Sequence, residues 1–197
     1  MPGRDCVMRR SMRTKARLGA VVVLAVSVVA ACGPSKSGGP TLELAGGSAG
    51  GRSIEQDIGH VADGSPISIG AMLICLDRPG EVTLMGISLE GTHGRIGVDE
   101  FAVRPNPLAT GEAGLGATRG GLGSANFIVG RRTVSKQCRG AASAYELGVE
   151  VSRASPGIAS FDGLAVHYAS SSSSGILRIP MSLALCAGSQ VSPDCRT

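Results

Sequence analysis

Residues 177–185 read LRIPMSLAL, with Leu177, Ile179, Met181, Leu183 and Leu185 apolar and Arg178, Pro180, Ser182 and Ala184 between them. Successive side chains of a strand point to opposite faces, so a period of two marks a strand with one face on a core. The pattern recurs upstream. Tyr145, Leu147, Val149 and Val151 alternate with Glu146, Gly148, Glu150 and Ser152, which predicts a half-buried strand with a wet face. Leu164, Val166 and Tyr168 oppose Ala165, His167 and Ala169, and the serine-rich run 170–175 predicts a turn leading into 177–185.

Working outward, residues 66–76 (PISIGAMLICL) are apolar on both faces, as in a central strand. Residues 81–89 and 95–103 predict a hairpin, and the parity slip between Val98 and Phe101 predicts a bulge at Asp99 and Glu100. Residues 111–124 are glycine-rich enough to be a loop, with a short strand at 126–134. No segment carries an amphipathic helical stripe, and no repeat recurs at a fixed period. Short strands with turn signals about every ten residues predict an all-β domain, an antiparallel β-sandwich of immunoglobulin-like or cupredoxin-like type; a small β-barrel is the alternative.

The chain has 197 residues and a net charge of +4, but the charge is unevenly placed. Six of the 19 basic residues and one of the 15 acidic ones lie in the first 31 residues, so the rest of the chain carries 13 and 14 and is close to neutral. The basic balance therefore belongs to the leader and gives no reason to expect a nucleic-acid partner. Three Phe, two Tyr and no Trp also argue against stacking platforms for bases or sugars. Basic residues in 8–17 precede a uniformly apolar stretch at 18–31 (LGAVVVLAVSVVAA). Fourteen residues reach about 21 Å as a helix, short of a bilayer core of about 30 Å, which fits a secretory signal better than an anchor. Met8 and Met12 are alternative starts to Met1, and Cys6 would then be a passenger in the leader.

The end of that stretch, Val29-Ala30-Ala31-Cys32, resembles the lipobox of bacterial lipoproteins. The resemblance implies diacylglyceryl transfer to Cys32, cleavage after Ala31, and attachment to the extracytoplasmic face of the cell membrane, so the expected partner is the membrane itself. It covers residues 8–32 only. The expected organisation is a signal peptide at 1–31, a flexible Gly/Ser/Pro linker at 32–53 and a β-sandwich at 54–197.

With Cys32 acylated, Cys75, Cys138, Cys186 and Cys195 remain, an even number suited to two disulfides in an exported domain. Cys138 and Cys186 bracket the C-terminal strands, which favours their pairing and leaves Cys75 with Cys195. A local Cys186–Cys195 loop is the rival, and spacing does not decide between them. No Cys/His pattern has zinc-ligand spacing.

Catalytic chemistry finds no constellation. The stretch 46–50 matches G-x-S-x-G, but it lacks the strand before and helix after that a nucleophile elbow needs, and composition explains it. His167 falls on the outward parity of its strand, and no S-x-x-K occurs. The expected protein is therefore a non-enzymatic binding or structural module without a cofactor. The alternative is metal delivery. His60, Met72 and His93 form H-x11-M-x20-H, which resembles the H-x10-M-x21-H-x-M pattern of periplasmic copper chaperones and implies Cu(I) on imidazole and thioether. The methionine is displaced by one residue, and Arg95 stands where that pattern has its closing methionine.

Overall fold

A computed structural model describes residues 38–45, 54–111, 114–154 and 156–186, with the backbone alone at 54–60, 71 and 141. The chain divides into two units, 1–36 and 37–197, and every described residue belongs to the second. The signal peptide, Cys6, Cys32, the stretch 46–50 and Cys195 lie outside the described residues.

Among the described residues ten strands form two sheets, joined by loops with three 3-10 turns and no α-helix. The first sheet runs β1 (Leu42–Leu44), β3 (Ile67–Leu76), β8 (Tyr145–Arg153), β5 (Ile96–Pro105), with β6 (Ala117–Arg119) on the edge of β3 that β1 also uses. The second runs β2 (Ile54–His60), β10 (Ser174–Cys186), β9 (Ala159–Ala169), β4 (Val82–Glu90), β7 (Thr133–Val134). All pairings are antiparallel except β2 with β10. The fold is the expected all-β sandwich, and neither sheet closes into a barrel.

The core is one apolar cluster between the sheets, fed by the odd residues Leu177–Leu185 of β10 and by Leu147, Val149 and Val151 of β8. The turn into β10 is also as expected: Ser174 pairs with Ala169, and the Ser170 hydroxyl receives the Ser173 N–H. β3 looked apolar on both faces partly because a bulge between Ile69 and Met72 changes its parity. Ile67 and Ile69 face the core before it, Met72, Ile74 and Leu76 after it. The bulge at Asp99 is present, Val98 pairing with Val151 and Glu100 with Glu150.

Four expectations are corrected. β4 and β5 are not a hairpin: they lie in different sheets, and 91–95 crosses between them, held by His93 and Ser160 exchanging backbone hydrogen bonds of 2.8 and 2.9 Å. Parity cannot separate a hairpin from a crossing, because both bury one face of each strand. The outer face of β8 is not wet. Residues 115–127 fold over it, setting Leu122 and Phe127 on Gly148, while Glu146 is fully buried. The stretch 126–134 is strand only at Thr133–Val134, and Asn126 ends a 3-10 turn in the left-handed region. Finally, the domain begins inside the expected linker: β1 pairs Leu42 with Leu76, and Leu42 is 4% exposed.

The favoured cysteine pairing is also overturned, since Cys75 bonds Cys138 and not Cys195. Leu76 donates to the Lys136 carbonyl and receives the Cys138 N–H, both at 2.9 Å, so the backbone brings the two cysteines side by side. Cys186 is disulfide-bonded too, with its partner outside the described residues.

Candidate functional site

Residues 131–139 read RRTVSKQCR, four cations in nine positions. The apolar residue in the middle fixes the segment. Val134 is fully buried and pairs with Val82 at the edge of the second sheet. Before it, Arg132 accepts from the Leu84 N–H and Arg131 from the Val103 N–H; after it, Lys136 and Cys138 bond Leu76 of the first sheet. The segment thus laces one end of the sandwich, and the Cys75–Cys138 bridge staples it there.

Two aromatic rings organise the cations. Tyr145 lies beneath the Arg131 guanidinium at 5.9 Å and the Lys136 ammonium at 5.3 Å, and its hydroxyl shares a hydrogen bond with Ser135. Such contacts hold a cation at about 0.5–1 kcal/mol each without cancelling its charge. Arg132 stacks on Phe101 at 4.2 Å and is neutralised by Glu100 at 3.1 Å. The Glu100 carboxylate also accepts the Phe101 N–H, and this bond, with Arg132, holds its pKa below the ordinary 4.5 despite some burial. Among the described residues Arg131, Lys136 and Arg139 make no ion pair. Lys136 and Arg139, with Ser135, Ser143 and Gly80, line an open concavity of about 440 Å³.

The first described residues enter at this end. The Asp77 carboxylate accepts the Thr41 N–H at 2.7 Å and Arg78 Nε at 2.9 Å, Arg78 donates to the Gly38 carbonyl, and Pro40 packs against Gly80. Burial pushes the Asp77 carboxyl up, but the hydrogen bonds from Arg78 and Thr41 outweigh it and hold the pKa below 3.8.

Two further polar clusters, which parity did not reveal, are structural. Glu146 accepts from Arg104 Nε and the Leu115 N–H, each at 2.6 Å, and Arg104 stacks on Phe127 at 4.5 Å, so this pair anchors the cover over β8. Arg153, 1% exposed, pairs with Asp63 and donates to the Val61 and Gly157 carbonyls, which fixes the opposite end. A glycine within each strand, Gly148 in β8 and Gly70 in β3, was the available signal for a segment lying close overhead.

The residues of the metal alternative are dispersed. Met72 is 3% exposed within the apolar core, and His93 is exposed in the crossing bonded to Ser160. His60 belongs to β2, and its side chain lies outside the described part. Among the described residues no three His, Cys, Asp or Glu side chains gather as a metal set. His167 meets Ser88 at 3.1 Å on the outer face of the second sheet, a cross-strand contact with no carboxylate on the imidazole among the described residues. No family model matches the sequence, and a search of curated proteins returns no match.

Proposed function

We propose that this chain is a bacterial lipoprotein whose β-sandwich is held by a diacylglyceryl-modified Cys32 on the extracytoplasmic face of the cell membrane, where it binds or braces rather than catalyses. The observation that carries the reading is the disulfide chemistry. Cys75–Cys138 ties two segments 63 residues apart, and Cys186 is bonded as well. Such bridges persist in oxidising compartments and are rare in a reducing cytosol. This supports the export that the basic leader and its apolar stretch predict. Two acyl chains make the attachment stable, where one chain binds only marginally. Mass analysis of the mature N-terminus tests the proposal. A diacylglyceryl cysteine at position 32 is expected, with Cys32→Ser blocking the modification and leaving the domain disulfides intact. An unmodified N-terminus at any other residue overturns it.

A further inference from the structure

We propose that the end of the sandwich built around Tyr145 docks on the anionic phospholipid headgroups of the membrane, through Lys136, Arg139 and Arg131. The inference rests on the Cys32 anchor proposed above and adds an orientation to it. The first argument is reach. Six residue steps separate Cys32 from Gly38. Fully extended they span about 20 Å, and a flexible chain of that length averages about 13 Å. A linker of twenty residues would have let the domain roam, but β1 takes part of it into the sheet. The average reach is close to the Debye length of about 8–10 Å at physiological salt, so the nearest charges sense the bilayer.

The second argument is placement. Gly38, Pro40 and Thr41 are bound by Arg78, Gly80 and Asp77, and Gly80 also lines the concavity that holds Lys136 and Arg139. The anchor therefore presents this end of the domain and not the other. The third is charge. The chain from Cys32 onward is nearly neutral, yet this end gathers Arg78, Arg131, Arg132, Lys136 and Arg139 against Glu43, Asp77, Glu81 and the Glu100 that pairs with Arg132. Toward the other end Arg153 pairs with Asp63 and Arg178 with Glu90. The Cys75–Cys138 staple keeps the cationic segment in shape, so little conformational freedom is lost on docking. The Ser135 and Ser143 side chains beside Lys136 and Arg139 add hydroxyl donors suited to phosphate oxygens.

The test uses residues 32–197 with Cys32→Ser, so that no lipid anchors the chain and the whole compact unit from Ser37 is retained. Co-flotation is measured with vesicles of pure phosphatidylcholine and with vesicles carrying about 30% phosphatidylglycerol. Binding to the anionic vesicles alone is expected, lost in about 0.5 M salt as the charges are screened. Each basic residue near such a surface strengthens binding by about fivefold, so Lys136→Glu with Arg139→Glu is expected to weaken it at least about tenfold. Glu81→Lys on the same rim is expected to strengthen it, which reads the proposal from a gain as well as a loss. Equal binding to both vesicle types, or charge reversal without effect, overturns docking. The mass of the natural N-terminus is read separately. A lipidated chain without vesicle preference removes docking alone; an unlipidated chain that still floats removes the anchor alone.

Discussion

Glu146 and Gly148 show how much a strand's outer face depends on what is laid over it. The Glu146 carboxylate, fully buried, satisfies Arg104 and the Leu115 N–H. Removing one partner of a buried pair leaves the other charge without compensation, so Glu146→Ala is expected to destabilise the fold by about 3–5 kcal/mol in urea titration. Glu146→Gln keeps an acceptor in place and is expected to lose less. A Cβ on Gly148 would lie 2.7 Å from Leu122 and Phe127, so Gly148→Ala is expected to lift the cover and cost about 1–3 kcal/mol in the same titration. Neither effect can be read from alternation. The period of β8 named its core residues correctly, because that face answers to a local rule. The opposite face answers to a segment some thirty residues away in the chain, and Glu-x-Gly-x-Glu reads as solvent-facing until that segment is in place.

At the scale of elements, the same divide separates the hairpin that was legible from the one that was not. β9 and β10 are adjacent in one sheet because a serine turn with its own side-chain hydrogen bonds closes them. β4 and β5 bury one face each, as a hairpin would, but pair with strands far along the chain. The cysteine pairing was beyond reach for the same reason, since it depends on where 131–139 is laced. Closing 63 residues of chain removes denatured-state entropy worth about 4 kcal/mol, so Cys75→Ala with Cys138→Ala is expected to lower stability by roughly that amount in thermal melts of the oxidised protein. The tie between β1 and β3 adds a pH dependence. Asp77 titrates below 3.8 when folded, so its contribution is whole above about pH 4 and is lost as the pH falls through the folded value. Being partly exposed, the contact is worth less than about 1 kcal/mol. Amide protection factors at Leu42–Leu44, taken relative to the intrinsic exchange rate at each pH, are expected to fall in acid, and Asp77→Asn is expected to lower them already at neutral pH.

Over the whole molecule, local pattern set the class of fold and pairing over distance set its details; the basic end is a case of both. Its cations are plain in the sequence of 131–139, but their gathering beside the first residues of the domain needs the disulfide, β1 and the Asp77 turn together. The parallel pairing of β2 with β10 carries a consequence in time. Ile54 lies against Met181, and among the described residues β10 is the only ladder partner β2 has. A ribosome makes β2 well before β10, so the second sheet stays open at that side until β10 has been synthesised. Pulse-labelled amides of Ile54–His60 are expected to gain protection in the slowest refolding phase, later than those joining β3 to β8, and earlier protection of β2 would exclude this order. A nascent chain unable to finish its fold is one that can still be threaded through a narrow channel, and the second sheet of this sandwich gains β2 only after β10 is free.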